Sequence, residues 1–467
     1  MFDNLTSEYE ENYALITDSG EKVRYSDLDA FANQLANIIK ERSLVFCLCD
    51  NNVESLFGYF SFIRGNVVPL MLDLSINVEL LQELIGQYQP RYIWIQSSEV
   101  HQFQGSRVIF SYKGYSLAQF KDCDYFQLND NLALLLTTSG STGSPKLVRI
   151  SYENLEENAN SIAEYLSIDE NERPITVLPM SYTFGLSIIN SHLIKGATIL
   201  LTSKSLMERE FWSFFQGECA TSLSGVPYTF DILKKLHFFK MDLKHLKTIT
   251  QAGGKMSEEL NHEFARFCNK KSIDFVVMYG QTEATARMSY LPAQYSLSKI
   301  GSMGIAIPGG EFYLIDDNND RIVENNAVGE LVYKGKNVSM GYAESTKDLS
   351  KGDENSGVLV TGDLAKRDED GFYYIVGRKK RFIKIFGNRV NLDETERLIK
   401  DVVPEVACSG VDNKLVIYIT DKGSESKVNS LVAEKIRINR TAFKVITINF
   451  IPKNTSGKTI YSELPKI

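Results

Sequence analysis

Cysteine is scarce and unpatterned in this 467-residue chain, where Cys47, Cys49, Cys123, Cys219, Cys268 and Cys408 are scattered. Cys47 and Cys49 form a Cys-x-Cys, but no second pair or nearby histidine completes a zinc pattern. Such thiols are expected to be buried and reduced, in a cytoplasmic protein. Long apolar runs are missing as well. Val67 to Leu72 and Leu132 to Leu136 fall far short of the roughly 20 residues of a membrane span. Met1 to Thr17 is acidic and mixed, unlike a secretory signal. Low-complexity tracts and internal repeats are absent, which disfavours a disordered scaffold. The five histidines are isolated and form no catalytic constellation.

What remains is the composition of a globular chain, 43% hydrophobic and 24% charged, long enough for two or three domains at about 150 residues each. The net charge of −8 is uneven. From Arg378 onward 18 Lys and Arg face 10 Asp and Glu, a net +8, which leaves −16 on the rest. A basic tail on an acidic body suits either nucleic acid or a lid over an anionic ligand. No aromatic-interleaved basic stripe supports nucleic acid.

The rhythm is that of a parallel α/β sheet. Tyr25 to Ile39 reads as a helix with Ser26 as cap candidate, Leu44 to Cys49 as a strand and Val53 to Arg64 as a helix. Strands follow at Val67 to Leu72 and Tyr92 to Gln96, then at Ile175 to Leu178, Ala197 to Leu201, Thr248 to Gln251 and Asp274 to Met278. Short strands with Gly- and Asn-rich turns over about 300–375 predict a small β subdomain. The cluster Gly377-Arg-Lys-Lys-Arg381 marks a boundary, and a compact α+β domain with a helix at Leu392 to Val402 and a strand at Leu415 to Thr420 follows it.

The strongest chemical signal is Thr138-Ser139-Gly140-Ser141-Thr142-Gly143-Ser-Pro-Lys146, directly after the strand Leu132 to Thr137. Its glycines permit close backbone approach, its hydroxyls and amides donate hydrogen bonds, and Lys146 brings a positive charge. Together they suit a polyphosphate. It is not a Walker A loop, because Gly143 is followed by Ser-Pro-Lys. A flexible surface turn is the plainer alternative.

This loop resembles the phosphate-binding signature of the class I adenylate-forming (ANL, AMP-binding) superfamily: acyl-CoA synthetases, luciferases and stand-alone or modular adenylation domains. Further motifs follow in the family's order, from about residue 25 to 461. In Tyr279-Gly280-Gln281-Thr282-Glu283 the resemblance implies that Tyr279 packs on adenine while Thr282 and Glu283 hold the α-phosphate and Mg²⁺, with Thr138 as a second metal ligand. Gly253, Gly254 and Lys255 resemble the adenine-side loop. Asp363 and Arg378 resemble the ribose contacts, although an aspartate in a turn is more often structural. Lys380 occupies the hinge position, and Gly387 and Arg389 belong to the segment implied in thiol transfer, which Glu394 and Glu396 follow. Lys458, in Pro452-Lys-Asn-Thr-Ser-Gly-Lys458, resembles the adenylation lysine.

The implied architecture is a large N-terminal domain of α/β subdomains plus a small β subdomain, 1–379, followed by a small mobile α+β C-terminal domain, 380–467. The implied reaction uses ATP and Mg²⁺ to turn a carboxylic acid into an acyl-adenylate with release of pyrophosphate. The acyl group then passes to CoA or to a carrier-protein phosphopantetheine. Tyr182, Gly185, Ser224 and Gly225 are expected to line the acyl pocket. Amino-acid-activating relatives place an aspartate where Gly185 stands, so an α-amino acid is disfavoured. Tyr182, in place of a frequent histidine, and Leu147, in place of a frequent glycine, depart from the family pattern. Two alternatives remain: a stand-alone enzyme loading an amino or hydroxy acid onto a carrier protein, and a non-catalytic nucleotide-binding regulator.

Overall fold

A computed structural model of the chain describes residues 2, 8–121, 126–137, 146–385, 388–400, 402–411, 413–433, 439–453 and 458–465, with backbone alone at 380, 382, 384, 388, 389, 391 and 394. The chain forms two compact units. The first takes in 1–137, 146–311 and 334–359; the second takes in 312–333 and 360–467.

The first unit is built on two large sheets. In the eight-stranded sheet, Leu44–Cys49 pairs in parallel with Val68–Asp73 and Tyr92–Gln96, and Val68–Asp73 pairs in parallel with Leu132–Thr137. Leu44–Cys49 is buried at every residue, as expected of a parallel strand covered on both faces. The nine-stranded sheet runs Ser222–Gly225, Thr248–Gln251 and Asp274–Tyr279 side by side and parallel. One apolar cluster joins Val45, Met71 and Leu134 of the first sheet to Leu15 and Ile199 of the second, through Phe57, Phe60, Leu155 and Ile189 of intervening helices.

Several expectations shift. The first long helix is Tyr25–Ile38, and its cap is Arg24, not Ser26. The Arg24 amide donates to the Asp27 carboxylate at 2.8 Å, so the acid one turn in closes that end. The strand expected at Ile175 to Leu178 is only Pro174–Ile175. Leu147 has a packing reason: it opens the strand Leu147–Ser151, which returns antiparallel beside Leu132–Thr137 and pairs Leu147 with Thr137. Buried there with Leu135, Met340 and Ala343, it is a core residue of the sheet.

The second unit carries a five-stranded sheet that includes Glu311–Ile315, Val328–Lys334, Val358–Arg367 and Tyr373–Arg378, followed by a two-stranded and a three-stranded sheet. Packing therefore groups the small β sheet with the C-terminal segment, whereas the sequence motifs assign it to the N-terminal domain.

Candidate active site

Three parallel neighbours of the nine-stranded sheet end together, at Gly225, Gln251 and Tyr279. Ligands of open α/β sheets bind at such carboxyl ends. Ser224 is buried there, and its hydroxyl lies 2.7 Å from that of Thr250 on the next strand. Beyond Gln251 the chain turns through Gly253 at φ +81°, and the Gln251 side chain holds the turn, its Nε2 donating to the Gly254 carbonyl at 2.9 Å. A Cβ on Gly253 would lie 2.7 Å from the Tyr182 hydroxyl and 2.9 Å from Val226 Cγ1. Only a bare backbone passes Tyr182 at this point, and Lys255 follows exposed. Burial pushes the Tyr182 hydroxyl up to about 12, keeping it protonated.

Glu283 sits on a short excursion between Asp274–Tyr279 and the antiparallel Ser289–Tyr290. A Cβ on Gly280 would overlap the Ala286 carbonyl oxygen at 1.7 Å, so the two limbs touch backbone to backbone. Gln281 donates to the Tyr279 hydroxyl at 3.0 Å, while Thr282–Ala284 forms a single tight turn closed by Thr285 at φ +65°. The Thr285 hydroxyl donates to the Asn337 carbonyl, and its own carbonyl accepts from Thr183, both at 2.7 Å.

The structure brings Glu283 together with Lys146 through Tyr342, a residue the sequence reading missed. Tyr342 donates its hydroxyl to Glu283 Oε1 at 2.7 Å. Lys146 Nζ stands 6.0 Å from the centre of the Tyr342 ring and pairs with Glu344. Burial first, and the Glu283 carboxylate second, raise the Tyr342 hydroxyl far above physiological pH. Tyr342 is placed by a two-residue strand paired antiparallel with Val148, a contact across almost two hundred residues with no local signature. Thr138, Ser139, Gly140, Ser141, Thr142 and Gly143 lie outside the described residues.

Where the acyl pocket is expected, Tyr182 and Phe184 pack with Leu178, Ile188, Val226, Ala252, Val276 and Met278. A Cβ on Gly185 would lie 2.2 Å from the Pro179 carbonyl oxygen, so this backbone admits no side chain there. Gly225 is likewise closed off by Thr229, at 2.6 Å from a built Cβ.

In the second unit Asp363 lies within a strand, not in a turn, and faces Arg378 as its cross-strand partner. Arg378 Nε approaches Asp363 Oδ1 at 3.3 Å, the acid buried and the guanidinium exposed. Gly387 and the side chains of Lys380, Arg389 and Glu394 lie outside the described residues. Glu396 is an internal tie: it accepts from Arg381 at 2.5 Å, from the Cys408 amide at 2.7 Å and from the Tyr461 hydroxyl at 3.0 Å. Lys458 is half-buried just before Thr459, which bridges back to Lys453. Among the described residues no group of three or more His, Cys, Asp or Glu could hold a metal ion, and no helix is long and apolar enough to cross a membrane.

Comparison with known proteins agrees with this architecture. The chain is 29% identical over 355 residues to a probable CoA ligase (CCL5) of Humulus lupulus, covering 72% of this chain and 64% of that one. It is 30% identical over 355 residues to 4-coumarate–CoA ligase-like 2 of Arabidopsis thaliana, with 72% and 62% covered. The match thus spans slightly less than two thirds of each relative. Among solved structures, O-succinylbenzoate coenzyme A synthetase from Bacillus subtilis in complex with AMP superposes with a TM-score of 0.80 at 22% identity, over 99% of this chain and 97% of that one. ATP-bound MatB from Rhodopseudomonas palustris gives a TM-score of 0.79 at 22% identity, over 98% and 96%. These two likenesses establish the fold, a large α/β body with accessory sheets. Residues 2–343 match the family described as AMP-binding enzyme, and the chain belongs to that family.

Proposed function

We propose that the chain activates a carboxylic acid other than an α-amino acid with ATP, releasing pyrophosphate, and then transfers the acyl group from the acyl-adenylate to a thiol. CoA is the acceptor we favour, since the relatives named above are CoA ligases. A carrier-protein phosphopantetheine is the alternative. The observation that carries the reading is the joining of Lys146 and Glu283 through Tyr342. A carboxylate and an ammonium there suit a metal-bound polyphosphate.

The residues present fit both ligands. Glu283, oriented by Tyr342, would hold Mg²⁺ together with Thr138, and the ion would neutralise charge on the phosphates. Gly253, Gly254, Lys255, Tyr279, Gly280 and Gln281 would receive the adenine side, with Thr282 at the α-phosphate. Thr138 to Gly143 and Lys146 would cradle the polyphosphate. Asp363 would accept from the ribose hydroxyls, with Arg378 beside it. Lys458 would sit between the attacking carboxylate and the α-phosphate, offsetting the repulsion of two anions as charge develops. In the thiol half-reaction the segment holding Gly387 and Arg389 would replace Lys458, by a turn of 380–467 against 1–379 about Lys380.

Gly185 supports the exclusion of amino acids, because its closed packing leaves no place for a counter-charge to a substrate ammonium. The free, buried Cys47, Cys49, Cys268 and Cys408 suit a reducing compartment, and the cytoplasm is the setting we propose.

The test is carboxylate-dependent ATP–pyrophosphate exchange over short, long, aromatic, hydroxy and amino acids. One acid class should give exchange, and Lys458→Ala should lower it by about 10²–10³. Unchanged exchange in that variant would remove Lys458 from its role. Silence over the whole panel would favour a non-catalytic nucleotide binder.

A further inference from the structure

Four residues beyond Glu283, on the same excursion between strands, stands an arginine that the reaction above leaves unused. Arg287 is 2% exposed. Its Nε donates to Ser187 Oγ at 3.2 Å, and its Nη1 to the Tyr165 hydroxyl at 3.2 Å and to Met278 Sδ at 3.4 Å. Its guanidinium carbon lies 5.0 Å from the centre of the Phe184 ring. Every one of these partners is neutral. Among the described residues no carboxylate pairs with Arg287, and its hydrogen bonds use Nε and Nη1, leaving Nη2 unengaged. The titratable neighbour His192 offers no counter-charge: burial, aided by the charge of Arg287, pushes it down to about 4, and its Nδ1 is engaged by the Ile188 carbonyl at 2.8 Å. Tyr165 stacks on Tyr290 at 4.3 Å and donates its own proton to Met278 Sδ at 3.1 Å.

A desolvated guanidinium without an anion is costly, and a chain that keeps one usually pairs it. The backbone here is built to hold it. The Arg287 carbonyl accepts from Asn158 at 2.9 Å and from Asn337 at 3.1 Å, so the residue cannot swing away without losing two buried bonds. Its neighbours Phe184 and Met278 belong to the apolar cluster that also contains Tyr182, Val226 and Ala252, the expected acyl side of the site. A cation fixed in that wall, with Nη2 unengaged, is the complement of an anionic group on the acyl portion of a substrate. Planar fork geometry favours a carboxylate.

We propose that the acid activated by this chain carries a second carboxylate, which Arg287 receives while the first is adenylated. This rests on the adenylation reading above, and it adds the substrate class: dicarboxylic acids in place of simple fatty or aromatic monoacids.

The experiment measures ATP–pyrophosphate exchange with pairs of acids matched in skeleton, one member bearing a second carboxylate, such as butanoate with succinate and aromatic equivalents. Wild type, R287M and R287K are compared by the ratio of kcat/KM between members of a pair, a ratio that a merely structural arginine would not move. At least one pair should favour the dicarboxylic member by about 100-fold. R287M should erase that preference. R287K should fall between them, because an ammonium keeps the charge but not the fork. Exchange with monocarboxylic acids alone, or an R287M ratio equal to wild type, would overturn the proposal and leave adenylation standing. If R287M does not fold, the wild-type and R287K ratios still decide. No exchange with any acid would overturn the adenylation reading and this proposal with it.

Discussion

Two buried arginines in the first unit differ in how their charge is met. Arg149, at 0% exposure in the eight-stranded sheet, is saturated. It donates to the carbonyls of Tyr342 at 3.1 Å, Lys351 at 2.7 Å, Gly352 at 3.2 Å and Met340 at 2.8 Å, and to Glu354 at 2.5 Å. Gly341 at φ +114° leaves room for it, since a Cβ there would press within 3.1 Å of Nη2. Arg287, at the ends of the nine-stranded sheet, meets only neutral atoms. The first arginine is a clamp that positions the 340–354 segment, and with it Tyr342. The second is a charge held in reserve. Full satisfaction within the chain marks an architectural cation, and incomplete satisfaction marks one waiting for a ligand.

The comparison can be broken most directly at the clamp. Arg149→Met should destabilise the protein by about 3–4 kcal/mol, by freeing several carbonyls and Glu354 at once. Denaturant unfolding reads this, and a loss below about 1 kcal/mol would mean the bonds contribute little. Next in size is an acid effect beside Arg287. His192 is favoured neutral in the fold, so its contribution is complete above its ordinary value of 6.5 and is lost as pH falls towards about 4. The loss should reach about 3 kcal/mol, and His192→Gln should flatten that part of the stability–pH curve. A parallel slope in the variant would show that His192 does not feel its surroundings.

A smaller effect is expected at Tyr342. Tyr342→Phe removes one bond to a carboxylate and should weaken the protein by about 1–2 kcal/mol, with a reduced dependence of exchange on Mg²⁺. Unaltered metal dependence would detach Tyr342 from the site. Smallest of all, Arg287→Met should change stability by less than about 1 kcal/mol, because three weak bonds are exchanged for relief of an unpaired charge. If it costs as much as Arg149→Met, the distinction between the two arginines fails.

Much of the scaffold was legible in local patterns. The strands Leu44–Cys49, Tyr92–Gln96 and Leu132–Thr137 and the helix Val53–Arg64 stand where apolar runs and 3.6-residue spacing put them. That helix opens with Asn52 accepting from the Ser55 amide at 2.8 Å. The Gly253-Gly254 turn past a strand end was legible too, but not its reason, the close approach of Tyr182. Ser26 was misread because an acid at the third helical position can close the helix from inside. Asp363 was misread because Thr-Gly-Asp looks like a turn, whereas pairing with Tyr373–Arg378 carries the strand straight through it.

By itself the sequence determined the family, the order of the motifs and the alternation of helix and strand, since these rest on residue type and short-range spacing. Tertiary structure alone decided that Tyr342 ties to Glu283, that Leu147 is core and that Gly185 has no room for a side chain. It alone decided, too, that Arg287 is buried without a counter-ion among the described residues. Each of these depends on what distant segments place within a few ångströms of a side chain, and desolvation, which turns a surface cation into a costly one, is a property of the packed surroundings and not of the residue.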